Sequence, residues 1–214
     1  MPKVLRARIK FVLISTLLLI AFYSFSFLVR EDVFVNFDFD MTVKIQNNIP
    51  FLFDPFLSWF SLLGSFEVTM GVLISLAAFL FAKKRFLSFF LIPMFGIMHV
   101  VELVGKAFLD HPVTPFMFHR YALDFFFPSS YIQPGGSYPS GHAMRTAYLA
   151  VLFIFLVNKS KLSPRIKLFS HSTILAIYFI MILSRVSLGE HWTTDVIGGS
   201  LLGAAFAVLS LIFI

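Results

Sequence analysis

Three short stretches of polar residues, each at the end of a long apolar segment, have the residue types needed to handle a phosphate group. They supply two histidines, two cations, a carboxylate and a serine–glycine turn. The stretches are Lys106; Tyr138-Pro139-Ser140-Gly141-His142; and Ser184-Arg185 followed by His191 and Asp195. If the apolar segments cross a membrane, all three stretches lie at the same face of it. The sequence therefore predicts one phosphate-handling site at a membrane surface.

The second stretch is predicted to form a cradle for an anion. Ser140 is a good N-cap for the fourth apolar segment, and Gly141 lets the backbone approach a ligand closely. Free amides and the positive end of the helix dipole favour an anion at such a terminus. His142 would then point at the bound group. The alternative is an ordinary helix cap beside a histidine at the membrane interface.

The third stretch has the spacing of an activated nucleophile. Asp195 follows His191 by four residues, so both lie on one face of a helix. The carboxylate can accept a hydrogen bond from one imidazole nitrogen and leave the other free to attack. Arg185 offers a planar guanidinium that suits phosphate oxygens. The alternative is a salt-bridged helix hairpin, in which Glu190 competes for the arginine.

The elements that must position these stretches are predicted to be membrane-spanning helices. The 214 residues are 58% hydrophobic and 13% charged, whereas soluble domains carry about 25% charged residues. Six apolar runs are long enough to span: residues 11–29, 65–82, 86–105, 141–157, 169–183 and 194–214. Backbone amides in hydrocarbon must be bonded internally, which favours helices. We predict an all-α polytopic membrane protein, with six transmembrane helices in a bundle and an interfacial outer segment, as a single domain over residues 1–214.

The charge distribution predicts the orientation of the bundle. Four basic residues precede the first span, three fill the turn at residues 83–85, and four lie within residues 159–167; all eleven acidic residues lie in or close to the opposite loops. By the positive-inside rule both termini are cytoplasmic and the site is on the outer face of the plasma (inner) membrane. The basic residues orient the chain and indicate no nucleic-acid partner. Residues 25–29 offer no small-residue cleavage site, which favours an uncleaved signal-anchor.

The first outer segment, residues 30–64, is predicted to lie at the membrane interface. Asp54 is expected to cap a short helix with Pro55 in its first turn. Asp38 and Asp40 are spaced like metal ligands, but no further ligand follows them. We therefore expect both carboxylates to be solvated.

The second outer segment, residues 106–139, contains His111, His119 and Arg120 and is rich in proline and aromatic residues. Loops of this length without regular structure are usually functional or disordered, and this one is too aromatic for disorder. Two interpretations stay open. The segment is either a lid or lipid-entry lip over the site, or an interfacial anchor.

Together the motifs resemble those of the phosphatidic-acid phosphatase type 2 superfamily, membrane lipid phosphatases related in core to vanadium haloperoxidases. The family's second motif, Pro-Ser-Gly-His, is intact at residues 139–142, and its third, Ser-Arg, five residues, His, three residues, Asp, is intact at residues 184–195. The family's first motif is a lysine, six residues, then Arg-Pro. It is incomplete here, because only Lys106 matches it. Arg145 or Arg120 could replace the missing arginine. We favour Arg145, which lies inside a span, where a cation left in lipid costs about 3 kcal/mol.

The resemblance implies a hydrolase acting on lipid phosphate esters or anhydrides, with no metal and no cofactor. It implies that His191, oriented by Asp195, becomes a phosphohistidine, and that His142 protonates the leaving oxygen and then activates water. The implied phosphate-binding residues are Lys106, Ser140, Gly141, Arg185 and, in place of the missing arginine, Arg145. The partner is a phospholipid or isoprenoid-phosphate substrate in the bilayer: undecaprenyl diphosphate, phosphatidylglycerophosphate or phosphatidic acid. The alternative function is a non-enzymatic lipid-phosphate binder or a small transporter.

Overall fold

The computed structural model describes residues 3–120, 123, 127–128 and 135–214. The regular elements in these residues are all helical, which confirms the all-α prediction. The α-helices are α1 (Lys3–Arg30), α2 (Val35–Asn48), α3 (Asp54–Ser61), α4 (Phe66–Ala82), α5 (Leu91–Phe108), α6 (Gly141–Lys159), α7 (Pro164–Ser187) and α8 (Thr193–Ser210).

The predicted spans all fall on helices. Among the described residues, five helical segments are long and apolar enough to cross a membrane: Val4–Arg30, Phe86–Phe108, Gly141–Lys159, Pro164–Ser187 and Thr193–Phe213. The predicted second span is α4, which has 17 residues and meets the preceding helical segment Phe51–Gly64 at a bend of 49°. Counting that bent pair as one span gives six.

The centre of the bundle is formed by α6 and α8, which approach each other closely. A Cβ atom at Gly199 would touch the carbonyl oxygen of Ser140, and one at Gly203 would touch the carbonyl oxygen of Met144. Small residues allow such backbone contact between helices in a membrane. The helices that carry the second and third motifs are therefore held directly against each other.

Polar bonds tie the neighbouring helices to this centre. Tyr148 of α6 bonds Ser210 of α8 at 2.9 Å and donates to the carbonyl of Leu91 at the start of α5 at 3.2 Å. On α1, the hydroxyl of Ser15 donates to the carbonyl of Ala205 at 2.9 Å. Hydrogen bonds between spanning helices satisfy polar groups that lipid cannot. These bonds give α1, α5, α6 and α8 a fixed mutual register.

Residues 138–140, just before α6, are bonded to both α1 and α8. The buried ring of Tyr138 packs against Gly198, and its hydroxyl bonds Ser26 of α1 at 2.7 Å. The amide of Ser140 donates to the carbonyl of Asp195 at 2.9 Å. The start of α6 is thereby fixed to the start of α8, which brings the second motif to the third.

Asp38 is not solvated, so that expectation was wrong. It is 3% exposed and accepts hydrogen bonds from the amide of Thr194, at 2.8 Å, and from the Thr194 hydroxyl. Because α2 returns across the first turn of α8, Asp38 serves as the acceptor for a free helix N-terminal amide. Asp40 is exposed, as expected.

Asp54 does begin the predicted short helix, α3, but its side chain makes no capping bond. Its carboxylate instead pairs with Arg120, whose Nε and Nη2 each lie 3.0 Å from a carboxylate oxygen. Arg120 also donates to the carbonyls of Gln46 and Ile49 and lies over the ring of Phe51. The arginine thus fastens the second outer segment to α2 and α3.

Of the predicted lid, residues 121–122, 124–126 and 129–134 lie outside the described residues. The described flanks of this segment meet each other, since the amide of Ser137 donates to the carbonyl of His111 at 3.0 Å. The choice between a lid and an interfacial anchor stays a prediction.

Arg120→Ala should lower the free energy of unfolding by about 3–5 kcal/mol, because it leaves the Asp54 carboxylate buried without its partner. Thermal and denaturant unfolding in detergent measure the loss. The same substitution in an Asp54→Asn background should cost much less. Lys44→Ala, at an exposed position of α2, is the control. An Arg120→Ala protein as stable as this control would contradict the anchoring role.

Candidate active site

A pocket of about 550 Å³ opens among the start of α4, α5, α6, the end of α7, the α7–α8 turn and the second outer segment. It brings together six of the eight predicted site residues: Lys106, Gly141, His142, Arg145, Arg185 and His191. The other two, Ser140 and Asp195, are fully buried directly behind it. The eight residues come from α5, α6 with its cap, α7, the α7–α8 turn and α8, and they surround one cavity.

Asp195 holds His191 by its inner nitrogen. Nδ1 of His191 lies 3.2 Å from Oδ2 of Asp195, and the same oxygen accepts the amide of Trp192 at 2.9 Å. Because Nδ1 is engaged, Nε2 is the nitrogen available to the pocket. The spacing predicts this contact, but it places both residues on one helix face, whereas His191 lies in the turn just before α8 begins at Thr193.

The surroundings of His191 favour a neutral ring. Burial lowers the pKa of His191, and the cations Arg185 and Lys106 lower it further, while the hydrogen bond and charge of Asp195 oppose the shift without reversing it. An imidazole with a lowered pKa keeps its lone pair at neutral pH. His191 is therefore in the protonation state that a nucleophile requires.

Two further donors on Asp195 were missed by sequence reasoning. Nδ1 of His111 lies 2.8 Å from Oδ1, and the hydroxyl of Ser137 donates to Oδ2. Both residues belong to the flanks of the second outer segment. No local spacing connects them to Asp195, and the histidine content of the segment was their only signal.

Glu102 is a third such residue, for which the sequence suggested only a structural pairing with Arg145. Its carboxylate lies 3.3 Å from Nζ of Lys106 and 3.8 Å from Nη1 of Arg145. It also packs against Gly141, where an added Cβ would touch it. Lys106 and Glu102 lie one turn apart on α5. The pocket thus contains an internal carboxylate between two of the cations predicted to bind phosphate.

Arg145 enters the pocket and Arg120 does not line it. Nε of Arg145 donates to the carbonyl of Gly64 at 2.8 Å, and Nη2 lies 3.4 Å from Nδ1 of His142. Arg145 therefore bonds the backbone at Gly64 and also lies beside the ring of His142, which is predicted to be catalytic. Arg120 is committed to Asp54 and to α2.

Arg185 pairs with Glu190 and donates to the hydroxyl of Ser61. The Glu190 pair is the competing contact expected from the sequence. Nε of Arg185 is buried and has no hydrogen-bond partner among the described residues. A buried guanidinium N–H without a partner is costly, and a phosphate oxygen is a suitable acceptor for it.

The Ser140–Gly141 turn forms the helix terminus that the sequence predicts. Ser140 is the N-cap of α6, and its hydroxyl accepts from the amide of Ala143 at 3.5 Å. The space next to Gly141 is taken by Glu102 and Arg145. Within the described part of the chain, no group of three or more His, Asp or Glu side chains is arranged to hold a metal ion.

Comparison with known proteins gives a family and a fold. A model of the PAP2 superfamily matches residues 85–214. The structure is similar to the first transmembrane PAP2 type phosphatidylglycerolphosphate phosphatase from Bacillus subtilis, with TM-score 0.73 and 19% identity over 92% of this chain and 93% of that one. It is also similar to Aquifex aeolicus LpxE, with TM-score 0.60 and 23% identity over 81% and 93% of the two chains. No curated protein matches the chain. At these identities the two structures establish the fold alone.

The position of Glu102 leads to a binding prediction. Glu102→Gln should tighten the binding of inorganic phosphate roughly tenfold, because a competing negative charge is removed, and Arg145→Ala should weaken it roughly tenfold, because a charged donor is lost. Titration calorimetry on the detergent-solubilised protein measures both. Glu31→Gln, at an exposed acid that does not line the pocket, is the matched control. Equal affinities for all four proteins would mean that phosphate binds elsewhere.

Proposed function

The chain belongs to the PAP2 superfamily, and on that premise we propose that it is an integral membrane lipid phosphatase that hydrolyses a phosphomonoester or diphosphate lipid through a phosphohistidine. The observation that carries the proposal is His191, backed by Asp195 at 3.2 Å, in a pocket shared with a second histidine and three cations. A nucleophile, a proton donor and cations are the parts that phosphoryl transfer without a bound metal needs.

Substrate entry exchanges one set of ion pairs for another. The phosphate dianion displaces the carboxylates of Glu102 and Glu190 from their cations and takes the donors of Lys106, Arg145 and Arg185. The unpartnered Nε of Arg185 supports this, because it offers a buried donor to the incoming anion. The dianion also favours a charged His142 ring, since the two opposite charges lie side by side.

The first chemical step transfers the phosphoryl group to the enzyme. Nε2 of His191 attacks phosphorus in line with the leaving oxygen, so that an N–P bond forms as the P–O bond breaks. The leaving oxygen takes a proton from His142. Asp195 stabilises the positive charge that grows on the ring of His191, as an orienting carboxylate does in other histidine-based sites. The cations stabilise the charge on the equatorial oxygens.

The second step releases orthophosphate. His142, now neutral, takes a proton from water, and the water oxygen attacks phosphorus as the N–P bond breaks. His191 returns to its neutral form with Nδ1 still bonded to Asp195. The same histidine thus acts as acid in one step and base in the next.

The substrate class follows from the walls of the pocket. Phe66, Leu103 and Val113 line it beside the charged groups, and Leu103 and Val113 are 48% and 61% exposed. An apolar edge at bilayer depth lets lipid chains remain in hydrocarbon while the phosphate enters. Undecaprenyl diphosphate, phosphatidylglycerophosphate and phosphatidic acid all fit this description. The similarity to the Bacillus subtilis phosphatidylglycerolphosphate phosphatase favours a phosphomonoester among them.

Release of orthophosphate from these three lipids by the purified protein tests the proposal. His191→Ala should lower kcat at least about 1000-fold, because no other group can form the covalent intermediate. Asp195→Asn should retain binding and lose rate. His171→Ala, outside the residues lining the pocket, is the control.

Two outcomes would contradict the proposal. Turnover by His191→Ala close to wild type would remove the phosphohistidine. Wild-type protein that binds phosphate but releases none from any of the three lipids would favour the alternative, a lipid-phosphate binder or transporter.

We further propose that the site faces outward across the plasma membrane, with both termini cytoplasmic. The basic residues of the N-terminus, of the turn at residues 83–85 and of residues 159–167 support this orientation. The chain has no cysteine, so single cysteines report without background. Asn47→Cys, in the last turn of α2, should react with an impermeant thiol reagent in intact cells. Asn158→Cys, at the end of α6, should react only after permeabilisation; both positions are exposed. Reversed labelling would place the site in the cytoplasm.

A further inference from the structure

Asp195 binds two imidazole rings, of which only one lines the pocket. Its Oδ2 meets His191 at 3.2 Å, and its Oδ1 meets His111 at 2.8 Å. His111 lies on the far side of the carboxylate and borders a second cavity of about 220 Å³. The buried carboxylate therefore stands between a catalytic ring and a ring with its own opening.

The second nitrogen of His111 faces another carboxylate. Nε2 lies 3.9 Å from Oδ2 of Asp38, which Thr194 fixes through its amide and hydroxyl. Because Nδ1 must carry a proton to bond Asp195, a neutral His111 would present a lone pair at Nε2 to Asp38. A protonated ring satisfies both carboxylates.

The charges around His111 come from several elements. Asp195 faces it from α8, Asp38 from α2, and Asp32 acts on it from the turn after α1. Arg30, Asp32 and Asp110 line the second cavity with it, and Tyr138 packs edge-on at 6.2 Å. Three carboxylates thus act on one imidazole.

The pKa values of the two rings shift in opposite directions. Burial lowers the pKa of His111, but the hydrogen bond and charge of Asp195, with the charges of Asp38 and Asp32, outweigh it, so its pKa is raised above the ordinary value. Burial dominates at His191 and lowers its pKa. A pH window therefore exists in which His111 is charged and His191 is neutral.

We propose that His111 is a positioning residue that links Asp38 to Asp195 and sets how much of the Asp195 charge is available to His191. This inference rests on the proposed function of His191 as nucleophile. When His111 is charged, its positive charge offsets part of the negative charge of Asp195. The carboxylate then stabilises a positive charge on His191 less. When His111 loses its proton, the full charge of Asp195 acts on the reacting ring.

The sign of the pH dependence follows. In wild type, kcat/KM should rise with pH in two steps. The first step is the loss of the proton from His191, at a pH below the ordinary pKa of histidine, and the second is the loss of the proton from His111, at a pH above it. His111→Asn keeps an N–H for Asp195 but cannot titrate. It should remove the higher step and shift the His191 step upward by about one pH unit, because the cation opposing protonation of His191 is gone.

The test combines pH profiles with ¹⁵N-histidine NMR titration of the full-length protein in detergent. His111→Asn is compared with His111→Gln, Asp38→Asn and the control His171→Asn, whose ring has no bond to Asp195 or Asp38. Asp38→Asn should move the His111 step to lower pH, because it removes a carboxylate that favours the charged ring. The control should match wild type in both readouts.

A His191 titration that is unchanged in both His111 variants overturns the inference. So do pH profiles of kcat/KM that differ from wild type in height alone, because a merely structural role would produce that result. The NMR titration needs no turnover. Absence of phosphate release would therefore contradict the proposed function, while the coupling of the two rings would still be decided by the shift of His191.

Discussion

The structure depends most on keeping one buried carboxylate satisfied. Asp195 is fully inaccessible to solvent, and an isolated charge in such a place would cost several kcal/mol or more. Its oxygens are bonded by the rings of His111 and His191, the hydroxyl of Ser137 and the amide of Trp192. These donors come from both flanks of the second outer segment and from the α7–α8 turn. Satisfying one charge therefore draws together the parts that make the site.

A second constraint is the balance of charge among the groups that line the pocket. Cations at bilayer depth need counter-charges, and here carboxylates of the chain supply them: Glu102 lies between Lys106 and Arg145, and Glu190 pairs with Arg185. The three cations of the proposed phosphate site are thus partly balanced by two carboxylates of the chain itself. If phosphate binds as proposed, it replaces these carboxylates, and its affinity reflects the difference between the internal and the external anion as a partner for the cations.

Local spacing was enough to predict part of this molecule. The contact of His191 with Asp195 and the cap at Ser140 each join residues no more than four apart, and the length of the apolar runs indicates where the helices lie. Asp38 was misjudged because its partner, Thr194, lies 156 residues away and nothing near Asp38 indicates it. The contact of His111 with Asp195 could not be predicted for the same reason, because the two residues lie 84 positions apart. Contacts made by irregular segments leave no periodic signal in a sequence.

The close contact of α6 and α8 has a consequence for how the protein responds to its lipid surroundings. Gly199 and Gly203 place the backbones of the two helices in contact, so neither helix can slide past the other without a clash. A thicker or thinner bilayer can tilt the pair, since tilt is the usual adjustment to hydrophobic mismatch, but it tilts both together. The separation of His142 from His191 is then insensitive to membrane thickness. Lipid composition would act on how readily a headgroup reaches the pocket, leaving the geometry of bond making and breaking unchanged.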